Sequence, residues 1–265
     1  MSQAPAPAPV PDSRLDPADD PRAWLGNTPL LDLDDPKLRL KAHSLTQLCK
    51  SEREKALAIY GFVKRLPLRK AIKLRQHSPR EVLEAGEGDA DDKATLLIAL
   101  LRAAGIPARL RYVELHRGML RGLVSGMTGA ARPLAEVWLG RWMRTDTYIF
   151  DAGYMAAARQ RLKDKGWSRG YGIHVGGDTL WAGVADSYLG GEAPETDPMV
   201  LRELGTVNDP QEALRLRRGQ LGPLMRALHW SMVAPGMGRA IRELREQSSQ
   251  APATPAPSPS PARRG

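Results

Sequence analysis

The chain has 265 residues, and 39 Lys and Arg against 30 Asp and Glu give it a formal net charge of +9. A single Cys excludes an internal disulfide framework and any multi-cysteine zinc site. No stretch reaches the roughly 18 apolar residues that a membrane-spanning helix requires. Residues 1–11 lack the basic start and the apolar core of a secretory signal. The sequence therefore predicts a cytoplasmic globular protein without a transmembrane segment.

Both ends of the chain are rich in Pro and Ala. Residues 4–11 read APAPAPVP, and residues 251–262 read APATPAPSPSPA. Such tracts bury too little apolar surface to offset the entropy cost of ordering them. We expect four segments: a disordered tail over 1–20, a main domain over 21–205, a helical C-terminal extension over 206–247 and a second disordered tail over 248–265.

The basic residues are concentrated in two places. Residues 64–80 hold seven basic residues and no acid, and residues 213–245 hold seven Arg against Glu243 alone. Such surfaces can attract nucleic acid or an anionic membrane, and the apolar residues within 221–233 could face a membrane or a partner. Few aromatic residues are available there to stack on bases. A solvated surface of bacterial type is therefore the simpler interpretation, and anion binding is the alternative.

Helix signals come first along the chain. A weaker helical pattern covers about 38–49, and a second helix starts at Ser51, which is predicted to form a capping box with Glu54. Ser78 gives the same kind of start signal for a short third helix, which Gly86 ends.

The fourth helix is the most distinctive. Asp89 is a good N-cap, and Asp92 favourably complements the helix dipole three residues later. The following residues are apolar nearly all round the helix until Gly105. A helix with this pattern is buried inside a domain.

Strand signals occupy the middle third of the chain. Residues 108–115 partly alternate, residues 117–131 are ambiguous, and residues 134–139 and 142–148 flank a Gly-Arg turn like the arms of a β-hairpin. Helical patterns return over 155–165, 210–218 and 221–245, the last with a predicted break near Pro235. This order predicts an α+β fold, with a central buried helix on a small antiparallel sheet and extra C-terminal helices.

Two motifs carry a resemblance to a known family. The first reads GDADDKATLL over 88–97 and ALLRAAGIPAR over 99–109, and the second reads RPLAEV over 132–137, then GRW over 140–142 and Asp146. In order and spacing they resemble the transglutaminase-like superfamily, over about residues 45–165. The resemblance implies a papain-like architecture, in which the central helix carries a nucleophilic Cys at its N-terminus and the sheet supplies a His and an Asp.

The implied chemistry is acyl transfer, which covers isopeptide formation, deamidation and peptide hydrolysis. A helix N-terminus and a nearby imidazolium both favour thiolate over thiol. The acidic residue orients and stabilises that imidazolium.

This chain departs from the family at the reacting positions. Ala90 occupies the nucleophile position, Arg132 the base position and Leu134 the position of the motif Trp, so that only Asp146 remains. A methyl group cannot attack a carbonyl, and a guanidinium cannot act as a general base near neutral pH. We therefore predict a pseudoenzyme that binds a protein or peptide or acts as a scaffold, without a cofactor. Arg132 is expected to pair with Asp146.

Other residues could restore activity. Cys49, the only thiol, lies near the end of a predicted helix and 41 residues before Ala90, and no His lies in the second motif, although His174 could approach the cleft. An acyl-transfer or hydrolytic site rebuilt from carboxylates, with or without a metal ion, is the alternative, and its candidates are Asp89, Asp91, Asp92 and Asp146. The simpler interpretation is that these acids cap the helix, complement its dipole or, for Asp91, are solvated.

An inherited cleft could still bind a ligand. The candidate contact residues are Asp89, Asp91, Asp92, Leu134, Glu136 and Trp142. No metal-ligand set is predicted, and the partner, the substrate and the oligomeric state stay open.

Overall fold

The fold is described here from a computed structural model, which defines residues 20–69, 75–124, 129–216 and 223–250. Within the last two helices, the side chains of 215–230, 232 and 247–250 are not described. The two Pro/Ala-rich tracts lie outside the described residues. The α-helices are α1 (Pro36–Thr46), α2 (Glu52–Arg65), α3 (Pro79–Ala85), α4 (Ala90–Ala103), α5 (Ala152–Asp164), α6 (Pro210–Leu216) and α7 (Pro223–Gln250). The strands are β1 (Ala108–His116), β2 (Gly129–Trp138), β3 (Trp142–Thr145), β4 (Arg169–Gly170), β5 (Ile173–His174) and β6 (Val200–Val207).

The predicted helix starts are confirmed. Ser78 and Glu81 form a complete capping box at α3, as Asp89 and Asp92 do at α4. The box predicted for α2 is only half formed: Ser51 accepts from the Glu54 N–H, but the Glu54 carboxylate accepts from the N–H of Lys50.

The main sheet has four antiparallel strands in the order β3-β2-β1-β6. The predicted hairpin is present as β2 and β3, although its second strand ends at Thr145 and not at 148. Strand β6 was not predicted. It crosses position 205, where the main domain was expected to end, and it shifts register twice against β1, so its alternation is irregular.

Helix α4 packs on one face of this sheet. Leu110 pairs in register with Ala135, and both belong to the same core cluster as the apolar residues of α4. Residues 94 and 96–101 are almost completely buried. The prediction of a central helix buried against the sheet is therefore confirmed.

The opposite face of the sheet is covered by a loop. Val113, Leu115 and Leu134 point to this face and form a second apolar cluster with Tyr188. The segment around Tyr188 is tied to the end of β3, where the Ser187 N–H donates to the Arg144 carbonyl at 2.9 Å.

Helix α7 joins the same domain through its C-terminal half. Ile241 and Leu244 are buried in the main core, and Arg245 pairs with Asp151 at the start of α5. The predicted break near Pro235 is wrong, because the helix continues through that residue to Gln250, within the expected tail. Packing against α5 offsets the hydrogen bond that Pro cannot donate. Among the described residues, no helix is both long and apolar enough to cross a membrane.

Candidate functional site

The position predicted for the nucleophile holds a methyl group, at the start of α4. Ala90 is the first residue of that helix, it is partly buried, and it packs against the main core. Asp89 caps the helix by accepting from the Asp92 N–H at 3.0 Å. The helix N-terminus that would favour a thiolate is therefore present, but it presents no nucleophile.

The position predicted for the base holds one half of a buried ion pair. Arg132 Nη1 lies 3.0 Å from Asp146 Oδ2, and both side chains are less than a tenth exposed. The pair predicted from the sequence is thus confirmed. Arg132 also donates to the Gly172 carbonyl at 2.5 Å, and the second oxygen of Asp146 accepts from the Leu189 N–H at 2.8 Å.

These contacts give each carboxylate oxygen of Asp146 a partner. Burial raises the pKa of this carboxyl, whereas the charge of Arg132 and the Leu189 N–H both oppose that rise. Because one oxygen binds a guanidinium and the other a backbone amide, Asp146 holds together β2, the end of β3 and the loop that covers this face of the sheet.

Two buried lysines hold the turn that follows Asp146. Lys93 donates from α4 to the carbonyls of Lys64, Leu66 and Ile149. Lys64 donates from α2 to the carbonyls of Thr147 and Phe150, at 2.7 and 2.8 Å. We call Lys64 and Lys93 the lysine clamp.

The comparison with known families identifies this arrangement. Residues 40–147 match the model of the transglutaminase-like superfamily, which includes α4, the β2–β3 hairpin and Asp146. Residues 40–147 are thus similar to the transglutaminase-like superfamily. The resemblance inferred from the two motifs is therefore confirmed, as are the α+β class and the papain-like type of fold.

One solved structure was also found. It is a candidate cysteine protease from Cytophaga hutchinsonii, with 23% sequence identity and a TM-score of 0.40, and the match covers 54% of this chain. The chain spans less than half of that protein, 44% of its length. No curated protein matches this chain significantly.

Around the transglutaminase-like core, the candidate contact residues lie in three separate places. Leu134 is buried and lines a small pocket on the covered face of the sheet. Other residues that line this pocket are Val113, Arg132, Asp146, Tyr188, Asp197 and Val200. No residue of α4 lines it.

Glu136 and Trp142 belong to a second group, on the same face of the sheet. Glu136 is buried and accepts from Arg109 and Arg111 of β1 at 2.5 and 2.7 Å. The guanidinium of Arg109 also lies 4.1 Å above the ring of Trp142. Glu136 neutralises the two guanidiniums, and Arg109 stacks on Trp142. The Glu of the family motif therefore belongs to a structural network in this chain.

The three acids of α4 form the third group. Asp89 and Asp92 are buried in the capping box. The interpretation of Asp91 as solvated is wrong, because it is only partly exposed and accepts from the Tyr112 hydroxyl at 2.8 Å. Among the described residues, no group of three or more His, Cys, Asp or Glu is placed to hold a metal ion.

His77, which was not predicted as a site residue, places its imidazole at the start of α4. His77 Nδ1 is 3.2 Å from Asp92 Oδ1, and about a third of the His77 side chain is exposed. No sequence motif includes His77, because it precedes α3 in the chain and contacts α4 only in the folded structure. His174 instead accepts from the Gly176 N–H, and Cys49 contacts the Leu45 carbonyl one turn back. Neither contact links these two residues to Ala90 or Arg132.

Proposed function

We propose that this chain is a transglutaminase-like protein without acyl-transfer activity, which binds a protein or peptide through its inherited scaffold. The observation that supports this most is the buried Arg132–Asp146 pair, combined with the methyl group of Ala90. Cysteine-type acyl transfer needs a thiolate and a base that can exchange a proton. Neither Ala90 nor Arg132 offers one, and each oxygen of Asp146 already accepts a hydrogen bond, from Arg132 and from the Leu189 N–H.

The binding surface in this proposal is the pocket beside the base position. Its floor is apolar, with Val113, Leu134 and Val200, and Glu192 is a half-exposed acid among its lining residues. The pocket is small, so in this proposal it takes a single short side chain of the bound segment and the rest of the segment lies outside it.

Binding can be tested with the full-length protein and a diverse peptide array. Peptides that bind are then measured in solution against Glu192→Ala and against Glu52→Ala, an exposed acid at the start of α2. The proposal expects that Glu192→Ala weakens binding about tenfold and that Glu52→Ala does not. An array without any binder, or binders insensitive to the pocket, would contradict it.

The enzymatic alternative has one observation in its favour, the contact between His77 and Asp92. An imidazole oriented by a carboxylate can act as a general base toward water. Hydrolysis of a peptide or ester library that survives Cys49→Ser but is abolished by His77→Ala would support this alternative. Turnover that both variants leave intact would point to contamination of the sample.

A further inference from the structure

Three tryptophans lie together at one end of the main sheet. Trp24 ends a short 3₁₀ helix, Trp138 ends β2 and Trp142 begins β3. The guanidinium of Arg109 is 5.1 Å from the ring of Trp24 and 4.1 Å from the ring of Trp142. The rings of Trp138 and Trp142 meet edge to face, with their centres 5.5 Å apart. All three tryptophans are partly exposed, and we call them the tryptophan patch.

Two indole N–H groups of the patch lack an acceptor. Nε1 of Trp24 and Nε1 of Trp142 are buried, and neither has a hydrogen-bond partner within the part of the chain that the structure describes. Arg109 cannot supply one, because a guanidinium only donates. The nearby acid Glu136 accepts from Arg109 and Arg111. Buried donors without a partner are rare and costly, so oxygen acceptors from another segment would complete the patch.

The first residues of the chain are rich in such acceptors. Residues 4–11 alternate Pro with Ala or Val. A tract of this kind favours the polyproline II conformation, in which no carbonyl has an internal partner. Its prolines have no N–H to satisfy, and proline-rich segments in this conformation bind to surfaces lined by aromatic rings. The tract thus offers acceptors and apolar rings, where the patch offers donors and indole faces.

The tract is close enough along the chain to reach the patch. The described residues begin at Asp20, four positions before Trp24. Pro11 lies nine positions before Asp20, and an extended chain of that length spans about 30 Å. The second Pro-rich tract, over 251–262, instead follows α7, whose contacts with the domain include α5 and the main core. The place where the chain enters the fold therefore favours residues 4–11.

We propose that residues 4–11 dock in a polyproline II conformation on the tryptophan patch of the same chain. A small rotation of the indoles turns the N–H groups of Trp24 and Trp142 toward carbonyl oxygens of the tract, and its prolines pack on Trp138. The short connection gives the tract a high effective concentration at the patch. None of the described residues that line the pocket beside Arg132 belongs to the patch, so this contact is separate from the peptide binding proposed above.

The first test follows the indole N–H signals of the full-length protein by NMR, with ¹⁵N-labelled tryptophan. Glycine in place of the four prolines of the tract keeps its length but removes its preference for polyproline II: Pro5→Gly, Pro7→Gly, Pro9→Gly and Pro11→Gly. This tract variant should move the signals of Trp24 and Trp142. The signal of Trp181, whose N–H donates to the Ala185 carbonyl at 2.9 Å, should stay in place and reports an intact fold.

The matched control makes the same change in the second Pro-rich tract. The control variant carries Pro252→Gly, Pro255→Gly, Pro257→Gly and Pro259→Gly. It should leave the signals of Trp24 and Trp142 at their wild-type positions, because the proposal assigns the patch to residues 4–11 alone.

A nitroxide label provides the second measurement. In a Cys49→Ser background, Ala8→Cys carries the label within the tract and should broaden the Trp142 signal. That broadening should fall at least about fivefold when the four prolines of the tract are replaced by Gly, because the docked conformation is then no longer favoured in the free chain. Unmoved Trp24 and Trp142 signals in the tract variant, equal movement in the control variant, or equal broadening with and without the prolines would each overturn the proposal.

Discussion

Arg132 and Asp146 form an ion pair 3.0 Å long inside the domain, at the two positions that the sequence motifs predict for a base and its orienting acid. Each partner makes a further bond, Arg132 to the Gly172 carbonyl and Asp146 to the Leu189 N–H. The pair thus fastens two distant segments to the sheet. The contribution of this pair to stability can be measured.

Removal of one partner of this pair should strongly destabilise the fold. Arg132→Met leaves a buried carboxylate without its counter-ion, which typically lowers the free energy of unfolding by about 3–5 kcal/mol. Arg132→Met/Asp146→Asn should cost less than the sum of the two single changes, because their effects are coupled. Urea denaturation measures all three.

A matched control for that experiment is the exposed pair of Arg202 and Glu114 on the same sheet. Arg202→Met removes an equally large guanidinium in the presence of solvent, and should cost at most about 1 kcal/mol. If Arg132→Met lowered the free energy of unfolding no more than Arg202→Met does, the buried pair would not stabilise the fold.

Stability should increase from neutral to mildly alkaline pH because of the clamp lysines. Burial lowers the pKa of Lys93 from 10.5 to about 7, so between these values the unfolded chain binds a proton that the folded chain has released. The free energy of unfolding then rises by about 1.4 kcal/mol per pH unit for each such lysine. Lys93→Met should remove the rise in the free energy of unfolding that starts near pH 7. The rise that Lys64 causes starts near pH 8 and should remain. If the free energy of unfolding of Lys93→Met depended on pH as in the wild type, the lowered pKa of Lys93 would be contradicted.

Among the acids on the loop-covered face of the sheet, Glu136 should be the one whose replacement lowers the free energy of unfolding most. Glu136→Gln leaves Arg109 and Arg111 without their shared buried counter-ion, with an expected loss of about 3–5 kcal/mol. Glu203→Gln removes the more exposed partner of the same Arg111 and should cost about 0–1 kcal/mol. Thermal and urea unfolding of the two variants provide the comparison, and equal losses would show that burial of Glu136 is not decisive.

A thiol at position 90 should be activated by the helix alone. In a Cys49→Ser background, Ala90→Cys places a thiol at the first residue of α4, and its pKa should fall below the ordinary 8.5, to about 7.5 or less. Ala103→Cys, at the last residue of the same helix, is the matched control, because the dipole there disfavours the thiolate. Rates of alkylation against pH measure both, and equal pKa values would contradict the placement of residue 90.

The sequence predicted well those features that depend on neighbouring residues. The caps at Ser78 and Asp89 are local, and so is the apolar pattern that buries α4. The Arg132–Asp146 pair could also be predicted, because the family motifs place both residues. Contacts between distant segments could not. Nothing near His77 in the chain indicates Asp92, and Leu189 reaches Asp146 only through the loop that covers the sheet.

Two wrong predictions have clear physical causes. Proline usually interrupts a helix, but α7 continues through Pro235, and its contact with α5 offsets the missing hydrogen bond. Asp91 was expected to be solvated because acids at a helix start usually are, but Tyr112 on β1 reaches it from the sheet. Strand β6 was not predicted, because its two register shifts against β1 disturb the alternation of apolar and polar residues that indicates a strand.

The proposal that this chain lacks acyl-transfer activity means that none of its side chains should accept an acyl group as a nucleophile. The most direct test is to incubate the Cys49→Ser protein with excess peptide thioester at neutral pH and to measure the intact mass. The account predicts no stoichiometric acyl adduct for this protein, and an adduct at residue 90 for Ala90→Cys/Cys49→Ser. A stoichiometric adduct on the Cys49→Ser protein itself, at any single side chain, would contradict it.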